Sequence, residues 1–113
     1  LRGLAEEVCA AEARCAIEVE DRIQYRNPRV TVERRPEILA NLEEAIRLVG
    51  LEPKETAIRG GTDGSALTEM GLPSANVFTG GHDAHSEREW ICVEDMGLAA
   101  ATLVELARVW AEQ

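Results

Sequence analysis

RGGTDGSALTEMGLPSANVFTGGHDAHSERE, the stretch from Arg59 to Glu89, decides how this chain is read. It holds both histidines and six of the nine glycines, so most residues that are neither core nor solvated surface lie here. Thr62 is placed to N-cap a helix over 63–70, with Asp63 favourable in its first turn. Gly71 closes that helix and Pro73 prevents its continuation. SANVFTGG then reads as a strand, Val77 and Phe78 side by side implying burial on both faces. A second glycine turn and a histidine-bearing loop complete the stretch.

Outward from it, ETAIRGG predicts a short strand around 55–59. Pro36 suits the first turn of a helix, where its missing N–H costs nothing. Ile38, Leu42, Ala45, Ile46 and Val49 fall on one stripe of that helix, and Gly50 is placed to end it in a left-handed cap. A strong helix over 95–111 carries Met96, Ala99, Ala100, Leu103, Leu106, Ala107, Trp110 and Ala111 on a broad apolar face. From residue 36 the order is helix, strand, helix, strand, helix, which predicts an α/β layer. Upstream, residues 2–13 predict an amphipathic helix with Leu4, Val8 and Ala11 on one face. Residues 15–24 alternate apolar and charged side chains like a half-solvated strand. Asn27-Pro28 breaks it, and the weakly patterned segment 25–35 is the candidate boundary.

With 113 residues the chain is at most one ordinary domain. A net charge of −9 argues against nucleic-acid or anionic-membrane partners, both of which need a basic face. No apolar run approaches the roughly 20 residues of a membrane span. The three cysteines, Cys9, Cys15 and Cys92, form no CxxC pair, and the odd count fits small buried residues in a reducing compartment, the cytoplasm. The chain begins with Leu1, so it is expected to be a piece of a longer protein.

Chemically, His82 and His85 are three apart with Asp83, Glu87 and Glu89 nearby, a spacing compatible with a local metal cluster and equally with a solvated loop. Gly60 to Gly64 sits between a strand and a helix start, where backbone N–H groups can bind an anion, and Arg59 adds a planar donor for a carboxylate. An ordinary tight turn with a capping threonine fits the same residues. No Lys-Ser or Lys-Thr follows the glycines, as a phosphate loop would need, and no GxSxG elbow is present.

RGGTDG at 59–64, MGLP at 70–73, FTGG at 78–81, His85 and Glu89 together resemble the C-terminal part of the peptidase T group of tripeptide aminopeptidases, within the M20 family of di-zinc metallopeptidases. The resemblance covers most of the chain and is weakest over the first 35 residues. It implies a two-domain enzyme with a smaller α+β lid inserted in the catalytic domain. Residues 1–33 would be the last helix and strand of the lid, with the crossover, and 34–113 the final segment of the zinc peptidase catalytic domain. The resemblance makes His85 the family's last zinc ligand, and Glu89 an acidic residue supporting it. Gly61 and Thr62 would line the substrate site, Arg59 would bind a peptide carboxylate, and Asp63 would order the loop. The remaining ligands of the two zinc ions, and the glutamate general base, would lie upstream, so these residues alone are expected to be inactive.

Three departures bear on substrate preference: Ser86 stands where the family usually has glycine, Ala84 where an aromatic is common, and Arg88 in place of a histidine. Alternatives are another M20-type amide hydrolase, a dipeptidase or an N-acyl amino acid deacylase. Outside catalysis, a binding module or a dimerising fragment remains, with a second copy of the chain as candidate partner and a short peptide as candidate substrate.

Overall fold

The computed structural model describes residues 1–58 and 60–113. Helix α1 spans Arg2–Ala11, the single turn α2 Arg29–Val32, α3 Pro36–Leu48, α4 Asp63–Glu69 and α5 Val93–Ala111. Strands β1 (Gly81–His82) and β2 (Trp90–Ile91) form an antiparallel hairpin with Gly81 opposite Ile91 and His82 opposite Trp90. The fold is thus mixed, mostly helical with a small sheet, and compatible with an α/β class.

The helices follow their predicted signals closely. Pro36 occupies the first turn of α3, Glu37 lies in that turn and Arg47 in the last, each charge matching the helix dipole. Gly50, at φ +82°, ends α3 in a Schellman arrangement. Its N–H donates to Arg47 O at 2.9 Å, and the Leu51 N–H donates to Ile46 O at 3.1 Å. Gly71, at φ +97°, closes α4 in the same way, with Gly71 N–H to Thr68 O at 3.1 Å and Leu72 N–H to Leu67 O at 2.9 Å. Both glycines were legible from sequence because a left-handed residue after a helix is a local requirement.

The principal tertiary unit is α3 against α5. Asn41, Leu42 and Ala45 of α3 are buried, and Ile38, Ile46 and Val49 are half-buried, so the predicted stripe is the packed face. On α5 the only fully buried side chain is Thr102, whose hydroxyl donates to Leu98 O at 2.9 Å. The amides of Asn41 and Gln113 bond reciprocally, Gln113 Nε2 to Asn41 Oδ1 at 2.7 Å and Asn41 Nδ2 to Gln113 Oε1 at 3.2 Å. That pair fastens the end of α5 to the middle of α3.

The strands expected at 15–24, around 55–59 and at 74–81 are not formed as such: 15–24, 55–58 and 74–80 join no ladder among the described residues, Arg59 lies outside them, and of the last segment only Gly81 enters β1. The physical reason is that a strand, unlike a helix, satisfies its backbone only on a neighbour. Val77 and Phe78 are half-buried rather than enclosed on both faces. Helix α1 forms, yet Leu4 and Val8 remain 62% and 50% exposed, so the returning segment at Ile17 and Val19 covers its apolar stripe only in part.

Two global magnitudes agree with this. The radius of gyration is 20.2 Å, against about 13 Å for a compact chain of this length. The accessible surface is 9402 Å², against about 6,100 Å² for a folded monomer of this mass. Large apolar side chains such as Ile23, Leu72 and Leu103 stand exposed and contribute to the surplus.

Candidate metal loop and glycine turn

The histidine loop hangs from the β1–β2 hairpin. His82 and Trp90 face each other across it and stack, ring centroids 4.2 Å apart and planes 14° from parallel. His82 is therefore engaged structurally at the base of the loop. His85 lies at the loop's crest, exposed, and its ring makes no hydrogen bond among the described residues.

The loop backbone is unusual. Asp83 and His85 both have positive φ, +52° and +65°, in a region that side-chain-bearing residues seldom adopt. Such a conformation costs about 1–2 kcal/mol per residue and persists where surrounding bonds over-determine it. Here the Glu89 carboxylate accepts the His85 N–H at 3.2 Å. Further bonds run from Ser86 N–H to Asp83 O at 3.2 Å, from Glu89 N–H to Ser86 O at 3.2 Å and from Arg88 N–H to Ser86 Oγ at 3.1 Å. Asp83, Glu87 and Glu89 outnumber the single cation Arg88, so the crest carries a negative field that attracts a cation.

The hairpin is anchored at its entry. Gly80 has φ +82°, and a Cβ placed on it would fall 2.4 Å from Asp95 Cβ in the first turn of α5. The close approach and the left-handed backbone both demand glycine there.

At the glycine turn, Arg59 lies outside the described residues. Thr62 is the N-cap of α4, as its position predicts, but through its backbone: its carbonyl accepts the Ser65 N–H at 2.9 Å. Its hydroxyl faces the Ser65 hydroxyl at 3.4 Å instead of capping an N–H. Asp63 is exposed at the start of α4. Tyr25 lies against Gly61, for a Cβ on Gly61 would fall 2.0 Å from Tyr25 Cζ. The neighbouring Arg26 N–H donates to Glu69 Oε1 at 2.6 Å, at the far end of α4. The segment that sequence reading treated as an unpatterned crossover thus docks onto the glycine turn and α4. Its only cue was an isolated aromatic, which has no periodicity to read.

Thr68 links α4 to the segment that leads towards the hairpin. Its buried hydroxyl donates to Gly64 O at 2.7 Å and accepts the Ser74 N–H at 3.0 Å. No hydrogen bond or ion pair joins the glycine turn directly to the histidine loop among the described residues. Nor do three or more His, Cys, Asp or Glu side chains converge there to hold a metal. The His85 imidazole, exposed on a braced loop in a negative field, has the chemistry of a single metal ligand, with no ligand cluster completed around it among the described residues.

Comparison with known proteins places the chain. The profile of peptidase family M20/M25/M40 matches residues 4–109, which include the turn, α4, the hairpin and most of α5. Peptidase T of Shewanella pealeana is 45% identical over 96 residues, 85% of this chain and 23% of the relative. Peptidase T of Bacillus subtilis is 44% identical over 90 residues, 80% of this chain and 22% of the relative. Peptidase T of Shouchella clausii aligns over all 113 residues at 36% identity, 28% of its own length. The chain spans about a quarter of the length of the curated relatives it matches. With a family match over almost its whole length, this chain belongs to the M20/M25/M40 peptidase family.

Proposed function

We propose that the chain is the C-terminal segment of a peptidase T-like metallo-aminopeptidase that removes the N-terminal residue from tripeptides. The observation that carries this is the 45% identity to a peptidase T across 85% of the chain. On this reading residues 1–33 end the lid and 34–113 close the catalytic domain.

His85 would hold one of two zinc ions through its imidazole, and Glu89, by accepting the His85 backbone N–H, fixes the loop that carries the ring. When bound, the zinc pair supplies a water of lowered pKa and polarises the scissile carbonyl. Gly61 and Thr62 present backbone to the peptide, Arg59 takes its carboxylate, and Asp63 orders the turn. Tyr25, packed on Gly61, fixes one side of that wall. One imidazole is too few ligands for a tetrahedral site, so the 113 residues alone are inactive.

The test is tripeptide hydrolysis and zinc content of the longer polypeptide that carries this segment, with and without His85→Ala. Loss of about one zinc per chain and of activity is expected. Full zinc content with full activity would overturn the assignment. Preference for N-acyl amino acids or dipeptides over tripeptides would shift the reading to another amide hydrolase of the family. A second reading, pairing of two copies, is favoured by the surface surplus; a strictly monomeric species in light scattering would count against it.

A further inference from the structure

Two of the three cysteines meet where α1 ends. Cys9, in the last turns of α1, and Cys15, just beyond the turn that follows, bring their sulfurs to 3.9 Å. Both thiols are free and half-buried, so a small oxidant can reach them. The turn is held by the Cys15 N–H donating to Glu12 O at 2.9 Å and by a bidentate Arg14–Glu12 ion pair. After it the chain doubles back, and Ile17 and Val19 line a shallow groove with Ala5 and Cys9. Cys15 lies outside any helix or ladder and its backbone is held by a single bond to Glu12 O among the described residues, so little opposes closing the roughly 2 Å that separates this contact from a disulfide bond length. Cys92, at the N-cap of α5, makes no sulfur contact of this kind among the described residues.

We propose that Cys9 and Cys15 are a redox modification site, a vicinal dithiol that closes to a disulfide by exchange with a small-molecule disulfide such as oxidised glutathione. One thiolate attacks a sulfur of oxidised glutathione, forming a mixed disulfide and expelling one glutathione thiolate. The second cysteine thiolate then attacks the protein sulfur of that mixed disulfide and expels the second glutathione. Two protein thiols are oxidised, one glutathione disulfide is reduced to two thiols, and the two thiol protons pass to the leaving thiolates. The bond ties the end of α1 to the returning segment and closes one end of the groove. This assignment is independent of the peptidase reading.

The sequence supplies its own readout, because Arg14 lies inside the loop the disulfide would close. The chain is incubated with oxidised glutathione, alkylated at its free thiols, digested with trypsin and mass-analysed. Peptides 3–14 and 15–22 should appear as one linked species, two hydrogens lighter than their sum, with neither Cys9 nor Cys15 alkylated. Dithiothreitol should separate them. In the Cys15→Ser variant, Cys9 should stop at the mixed disulfide with glutathione. The proposal is overturned if Cys9 and Cys15 are recovered alkylated, if each retains glutathione in the unaltered chain, or if peptide 3–14 links to the Cys92 peptide as readily as to 15–22.

Discussion

Gly80→Ala is the perturbation that most directly probes how the histidine loop is held. Gly80 has φ +82°, and an added Cβ would lie 2.4 Å from Asp95 Cβ, 3.3 Å from Asp95 C and 3.4 Å from Asp95 Cα. The last two atoms are helix backbone, which no rotamer change can move aside. The left-handed conformation costs an L-residue about 1–2 kcal/mol, and forcing atoms into an occupied contact about 1–3 kcal/mol more. The expected loss is therefore about 2–5 kcal/mol. Gly71→Ala is the internal control, since Gly71 has φ +97° and nothing within 4 Å of its added Cβ. It carries the backbone cost alone, about 1–2 kcal/mol. Urea unfolding followed by far-ultraviolet circular dichroism separates the two. With a slope of about 1.5 kcal/mol per molar, the Gly80 variant should unfold about 1 M below the Gly71 variant. Equal midpoints would refute the argument, because they would mean that α5 does not abut the hairpin entry.

Three further outcomes are expected. Gln113→Ala leaves the buried Asn41 amide without its reciprocal partner and should cost about 1–3 kcal/mol in the same unfolding assay. Leu42→Ala empties a buried position on α3 and should cost about 2–5 kcal/mol, whereas Leu48→Ala, at a position 55% exposed, should cost far less. The Arg35 guanidinium bonded to Glu37 lowers that carboxyl from its ordinary value. Its folded pKa lies below its unfolded one, so its contribution is present above the unfolded pKa and is lost as pH falls through the folded pKa. Because both groups are solvent-accessible, the contribution should fade in high salt. Arg35→Gln should return the Glu37 titration, followed by NMR, towards the ordinary carboxyl range.

The helices of this protein were legible because their determinants are local. Pro36, Gly50 and Gly71 act within a turn of their own positions, and the Ile38–Val49 stripe states its face through spacing alone. The family, too, was legible, because RGGTDG, FTGG, His85 and Glu89 keep their order and spacing in one dimension. Ladders, by contrast, are agreements between distant segments. The alternation at 15–24 and the Val77-Phe78 pair at the centre of SANVFTGG describe chains ready to pair without naming what they pair with, and residues 15–24 and 74–80 pair with nothing among the described residues. Tyr25 against Gly61, Asn41 with Gln113 and His82 on Trp90 were likewise invisible, since each joins residues with no shared periodicity.

By itself, then, the sequence determined four of the five helices, with ends within about two residues, the family and the residue on which a zinc ligand reading rests, while the single turn α2 lay in a segment without a readable pattern. Only the tertiary structure decided that Tyr25 lies against Gly61, that Gly80 is wedged against Asp95 and that His82 stacks on Trp90. The division follows from the range of the forces. Capping and amphipathic spacing are settled within a few residues of chain, whereas close approach, stacking and strand pairing depend on where the rest of the polypeptide is folded to meet them.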